Sequence, residues 1–211
     1  MQIRLFNLDE DFDVIKTWIT DERTHMMWCA NLIPYPLEKE KFRCFLSEIS
    51  EKFGDIPFAA VDDDGRAVGF YCYSLNHETH EGMLKFVIVD TSVRGKGIGK
   101  EMIKLAVCKA FTDPEVLAVQ LNVFPENARA KRCYEGVGFT ERHNTPDAFK
   151  YKDESWGRCN MIIKRSIPVK LTTRYDSEPC PTVLDINREC PYFLAFSGFA
   201  VYGKDFLKFW V

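Results

Sequence analysis

The segment V-D-T-S-V-R-G-K-G-I-G-K-E-M, residues 89–102, constrains this chain more than any other. Gly95, Gly97 and Gly99 alternate with Lys96 and Ile98, between a strand-like run ending at Asp90 and a helical pattern opening at Ile98. A helix cannot use the N–H groups of its own first turn, so a glycine-rich entry presents them to a ligand. The positive end of the helix, with Arg94, Lys96 and Lys100 beside it, suits a phosphate. Missing Cβ atoms let the main chain adopt unusual dihedrals and touch phosphate oxygens. These residues point to a diphosphate held mainly by main chain. The plainer alternative is a turn that only joins strand to helix.

Two phosphate loops of known pattern do not fit. A P-loop needs G-x-x-x-x-G-K-[ST], yet Lys100 is followed by Glu101, and Arg94 stands five before Gly99. The dinucleotide fingerprint G-x-G-x-x-G needs glycine at position 100, where lysine stands.

Around this loop the hydrophobic pattern predicts the order βααβββαβαββ. A first strand covers "MQIRLFNL". A helix follows, with Phe12, Ile15 and Ile19 on one side. Residues 23–36 are apolar without period and contain Pro34 and Pro36, so a loop is expected there. A second helix carries Phe42, Phe45, Leu46 and Ile49 and ends at Gly54. Three strands, "IPFAAVDD", "AVGFYCYSL" and "MLKFVIVD", lead to the glycine turn and its helix. "EVLAVQLNVF" is nearly all apolar and reads as a central strand. The short helix "NARAKRCYEGVGF" and two more strands complete an α/β plan.

The formal net charge of -3 gives no basic field for nucleic acid. The first 20 residues lack a signal-peptide run, and no apolar stretch suits a membrane span. A cytoplasmic location is expected. Eight cysteines without a C-x-x-C pair suggest reduced, buried thiols, Cys29, Cys72, Cys108 and Cys133 among them, and no metal site.

The run R-G-x-G-I-G resembles the [QR]-x-x-G-x-[GA] signature of the GCN5-related N-acetyltransferase superfamily. A second segment, "NVFPENARAKRCYEGVGF", is similar to that family's N-x-x-A-x-x-x-Y-x-x-x-G-F pattern, with Asn127, Ala130, Tyr134, Gly138 and Phe139 in place. The resemblance covers residues 1–166. It implies a mixed central sheet flanked by helices, with two parallel strands splaying apart to form an acetyl-CoA cleft. Val87, Ile88 and Val89 would then pair with the pantetheine arm as if it were a strand. The N–H groups of Arg94, Gly95, Lys96, Gly97, Ile98, Gly99 and Lys100 would meet the pyrophosphate. Asn127 and Ala130 would face the same arm, and the Tyr134 phenol would point at the CoA sulfur. Asn127 also reads as a helix N-cap, and both readings can hold. Tyr134 also reads as a core aromatic.

The implied activity is transfer of an acetyl group from acetyl-CoA to a primary amine of a small molecule or protein. A CoA-binding sensor that transfers nothing is the alternative. Many relatives use a glutamate as base where this chain has Met83 or Asn122. Glu81, two residues before Met83 on the same strand face, is a candidate acting through water, and a site with no dedicated base stays open. Acceptor specificity is expected from residues 20–36, where Met26, Met27, Trp28 and Tyr35 stand near Asp21 and Glu22 and could hold a cationic amine; core filling between helices is an equal reading. Residues 167–211 form an aromatic-rich C-terminal extension that either packs on its own sheet or covers a second subunit, which leaves a homodimer open.

Overall fold

A computed structural model describes residues 1–165. The extension expected over 167–211 lies outside the described residues. Seven strands form one mixed sheet in the order β1-β2-β3-β4-β5-β7-β6. They are β1 (Gln2–Leu5), β2 (Ile56–Val61), β3 (Ala67–Asn76), β4 (Glu81–Val89), β5 (Ala118–Val123), β6 (Thr140–Tyr151) and β7 (Glu154–Lys164). The helices are α1 (Leu8–Lys16), α2 (Glu22–Cys29), α3 (Lys39–Phe53), α4 (Ile98–Ala110) and α5 (Ala128–Glu135).

Strand alternation divides the core into two layers. Phe70 and Cys72 of β3 face a cluster with Phe12 and Ile15 of α1 and Phe42, Phe45 and Ile49 of α3. Tyr71, between them, faces the opposite cluster with Met102, Ile103 and Ala106 of α4 and Tyr134 of α5. Burying each large apolar side chain stabilises the fold by roughly 1.5–3 kcal/mol, so these two layers fix the helices on the sheet. Gly54 closes α3 with φ 66°, as the glycine after that helix predicts.

The loop expected over 23–36 contains a helix. Asp21 caps α2 by accepting from the Thr24 N–H at 2.8 Å, and Ala30 ends it in the left-handed region. Only two turns long, α2 buries His25, Met26, Trp28 and Cys29, so it shows no apolar stripe that periodicity could find. Ile19 lies beyond the end of α1, while the neighbouring Trp18 is buried. Cys29, Cys72 and Cys159 are buried thiols, whereas Cys108 is exposed, on the outer side of α4.

The β4–β5 pair is parallel and brief. It runs from Glu81 opposite Ala118 to Leu84 opposite Leu121 and stops there. Directly beyond, β4 carries a bulge. Phe70 pairs with Ile88 but Cys72 pairs with Lys85, so β4 spends one extra residue. Phe86, at the bulge, has φ 52°, an uncommon conformation for a residue with a large side chain. The bulge bends β4 away from β5 and opens the sheet.

Candidate active site

The opening between β4 and β5 is a cleft of about 560 Å³. Val87, Ile88 and Val89 line one wall, and Asn127, Ala130 and Tyr134 of the α5 region line the other. Arg94, Gly95, Gly97, Gly99 and Lys100 form one end. Lys96 is exposed outside the lining, and Ile98 packs on the core.

The turn has the geometry that its glycines suggest, with two amendments. Gly95 and Gly97 have φ of 85° and 86°, where a side chain is strained. Gly99 does not; a Cβ there would meet Val89 and Cys133 at ordinary contact distances of 3.5 and 3.6 Å. The Arg94 N–H donates to the Thr91 carbonyl at 3.4 Å, which removes it from the free donors. Residues 94–97 form a turn, and among the described residues no main-chain hydrogen bond of good geometry engages the N–H groups of residues 95–100. Six adjacent unused donors at a helix N-terminus form an anion site.

Charge agrees with this. Arg94, Lys100, Arg129 and Arg132 all line the cleft. The Arg94 guanidinium donates through Nε to the Val89 carbonyl at 3.2 Å. Burial lowers its pKa, and the like charge of Arg129 lowers it further. Cations brought together against their own repulsion suit a multiply charged anion. The sequence analysis does not name Arg129 or Arg132. Three residues apart, they share one face of α5, a signal readable once that helix is placed on the cleft.

Asn127 caps α5, its Oδ1 accepting from the Ala130 N–H at 3.2 Å, and also lines the cleft. Tyr134 is buried, with its ring 6.2 Å from that of Phe139. Its hydroxyl makes no hydrogen bond among the described residues. Burial, with a smaller effect from Cys133, pushes the phenol well above its ordinary pKa, so it stays protonated.

Where β4 and β5 part, a small recess continues the cleft, lined by Met27, Trp28, Leu84, Phe86, Asn122 and Phe124 among others. Trp28 and Met27 thus reach the site, as does Arg23 of the same helix. Arg23 is held by both carboxylate oxygens of Glu154 and lies 5.0 Å over the Trp156 ring. Tyr35 instead packs against His25, 5.3 Å between rings.

Glu81 does not join these residues. It stands at the other end of β4, six residues or about 20 Å of strand from Val87. Its carboxylate accepts from Gln120 at 2.7 Å and from Arg142 at 2.8 and 2.9 Å. Gln120 of the paired strand meets it there, and the sheet opens only after Leu84. Among the described residues lining the cleft, the one carboxylate is Glu126, whose Oε1 accepts from the Gly157 N–H at 3.2 Å. No group of three or more His, Cys, Asp or Glu suited to a metal occurs among the described residues.

Residues 15–139 match the model of the acetyltransferase (GNAT) family. The chain belongs to the GNAT family. Within this family, it is 42% identical over 59 residues to an aminoglycoside N(6')-acetyltransferase type 1 of Klebsiella pneumoniae, a match covering 28% of this chain and 29% of that one. It is 28% identical over 127 residues to a 5-NmdU N-acetyltransferase of Pseudomonas phage PaMx11, covering 60% and 86% respectively. The GNAT fold is matched by the Vibrio cholerae spermidine N-acetyltransferase solved with CoA and spermine. There the TM-score is 0.65 at 19% identity, over 77% of this chain and 94% of the other. The chain thus spans under a third of the length of the aminoglycoside relative. No helix among the described residues is long and apolar enough to cross a membrane.

Proposed function

We propose that this GNAT chain is an N-acetyltransferase that moves the acetyl group of acetyl-CoA to a primary amine. One observation carries the reading. Six unused main-chain N–H groups, backed by converging cations, open into a cleft that also holds the Tyr134 phenol. Acetyl-CoA, when bound, supplies the thioester. The N–H groups of residues 95–100 and the side chains of Arg94, Lys100 and Arg129 hold its phosphates. Main chain at Val87–Val89 aligns the linear arm and donates to the carbonyl oxygen as it gains negative charge. Tyr134 donates a proton or hydrogen bond to the departing thiolate; a phenol held protonated by burial suits that role.

The acceptor enters from the side of α2, where Met27, Trp28, Phe124 and Asn122 surround the recess. No carboxylate lines that recess, and Glu81 is engaged elsewhere. Without a dedicated base, the acceptor reacts as its own neutral fraction, a few hundredfold larger (about 200–400) for an α-amine than for a lysine-like amine at neutral pH. Relatives named for aminoglycosides and spermidine favour a small polyamine-like or aminosugar acceptor. Thiol release from acetyl-CoA across a panel of aminoglycosides, polyamines and peptide amines tests the proposal. Release with at least one amine, climbing with pH toward that amine's pKa, is expected. Acetyl-CoA binding with no release from any amine would leave only a CoA-binding module.

A further inference from the structure

We infer that Trp28 is a positioning residue, whose indole N–H holds the β4 bulge in the shape that presents Val87–Val89 to the thioester. This rests on the transfer reading above but assigns a part to a residue outside the motifs. The Trp28 Nε1 donates to the Phe86 carbonyl at 2.7 Å, in a buried setting. Phe86 is the bulged residue with φ 52°, two residues past the last β4–β5 pair. A large side chain in that region persists only where its surroundings dictate it. Two of those surroundings are visible. The Phe86 ring packs edge-on against Phe45, centroids 5.1 Å apart, and its carbonyl is gripped by Trp28.

Trp28 is itself firmly placed. It is 5% exposed and meets Phe42 and Phe70 at 5.9 and 6.2 Å between rings. His25, one turn earlier on α2, packs on it at 6.0 Å and is anchored by Nε2 to the Ile33 carbonyl at 2.7 Å. The same indole lines both the cleft and its recess. It therefore joins the helix that borders the acceptor to the main chain that must stabilise the oxyanion. Val87, Ile88 and Val89 all border the cleft because the β4–β5 pairing ends at Leu84 and leaves this edge of β4 open. If the bulge relaxes, the donors lose their aim while the phosphate grip at 95–100, on another element, does not.

The test separates donor from shape. Trp28→Phe and a chain with 3-benzothienylalanine at position 28 both remove the N–H, and the second keeps the bicyclic outline. A chain with 7-azatryptophan there keeps the N–H. The first two should lower kcat about 10–100-fold, as loss of a supporting hydrogen bond does, with the KM for acetyl-CoA within about twofold. The azatryptophan chain, which keeps the donor, should lose less kcat than the benzothienyl chain. Independently of turnover, amide hydrogen exchange at Val87–Val89 should quicken in the first two chains and not in the third. Unchanged kcat and unchanged exchange in the benzothienyl chain would overturn the inference. So would a joint fall of kcat, acetyl-CoA affinity and thermal stability, which marks a packing role alone. Should Trp28→Phe not fold, the benzothienyl chain decides. Should the wild type transfer acetyl to nothing, the functional reading fails, and the exchange comparison still decides this one.

Discussion

Substituting alanine for Gly99 should make the protein more stable and a worse binder of acetyl-CoA. The glycine lies in the first turn of α4, with no positive φ and no close neighbour to a Cβ beyond Val89 at 3.5 Å and Cys133 at 3.6 Å. Fold geometry therefore does not require glycine there. In a helix, alanine is favoured over glycine by about 0.5–1 kcal/mol. For a domain of this size that corresponds to a Tm rise of about 1–4 °C. The methyl group would stand between Val89 and Cys133 on the cleft lining, narrowing the space beside the turn's N–H groups. Lengthening or losing one charge-assisted hydrogen bond costs about 1.5–3 kcal/mol, or roughly a ten- to hundredfold weaker Kd. Gly97→Ala is the control. It finds nothing within 4 Å, but its φ is 86°, so it should lower stability by about 1–2 kcal/mol through the backbone alone. Differential scanning calorimetry of the free proteins and titration calorimetry with acetyl-CoA read both quantities. A Gly99→Ala protein that binds acetyl-CoA as tightly as the wild type would refute the placement of the diphosphate. A lowered Tm would refute the packing argument.

Three further outcomes follow from the structure. Tyr134→Phe keeps the ring and removes a hydroxyl without a described protein partner, so kcat should fall about 100-fold or more while urea stability moves less than about 1 kcal/mol. Comparable turnover in the two proteins would exclude the phenol from proton donation. Lys85, 2.8 Å from Asp55 with both side chains buried, should not be replaceable alone. Lys85→Met should cost about 3–5 kcal/mol in urea unfolding, and adding Asp55→Ala should recover much of it, since the stranded carboxylate is the main penalty. Glu154 is held down to about 2 by its hydrogen bonds with Arg23 and then with Trp156. Its unfolded value is near 4.3, so the folded state releases that proton more readily. The resulting stabilisation is complete above about pH 4.3 and disappears as pH falls toward 2. The Tm difference between wild type and Glu154→Gln should shrink across that window, and a difference independent of pH would contradict the pairing.

Elements with a clean period were legible in the sequence. The apolar stripe of α3, its terminal Gly54, and the nearly all-apolar run of β5 placed inside the sheet are examples. The two motifs also pointed to one place, because glycine turns and capped helices are local features. What failed was non-local or short. Two turns of α2 carry too few residues for a stripe, although Asp21 and Thr24 form a cap that could have announced it. Glu81 failed for a different reason. Alternation fixes which face a side chain takes, but only pairing partners fix where along a strand the sheet parts. The bulge at Phe86 is likewise a tertiary product, held by Phe45 and Trp28 from other elements. Arg129 and Arg132 gain a role only from the placement of α5 along the cleft.

The six unused amides at residues 95–100 also bear on how such a site withstands mutation. A hydrogen carried by the backbone is present whatever side chain is attached, proline excepted. Most exchanges along this turn would leave the donors intact and act only by adding bulk or twisting the chain. Affinity for the shared donor molecule can then stay level while α2 and the neighbouring recess change freely, and new acceptors can be tried without rebuilding the half of the protein that supplies the acyl group.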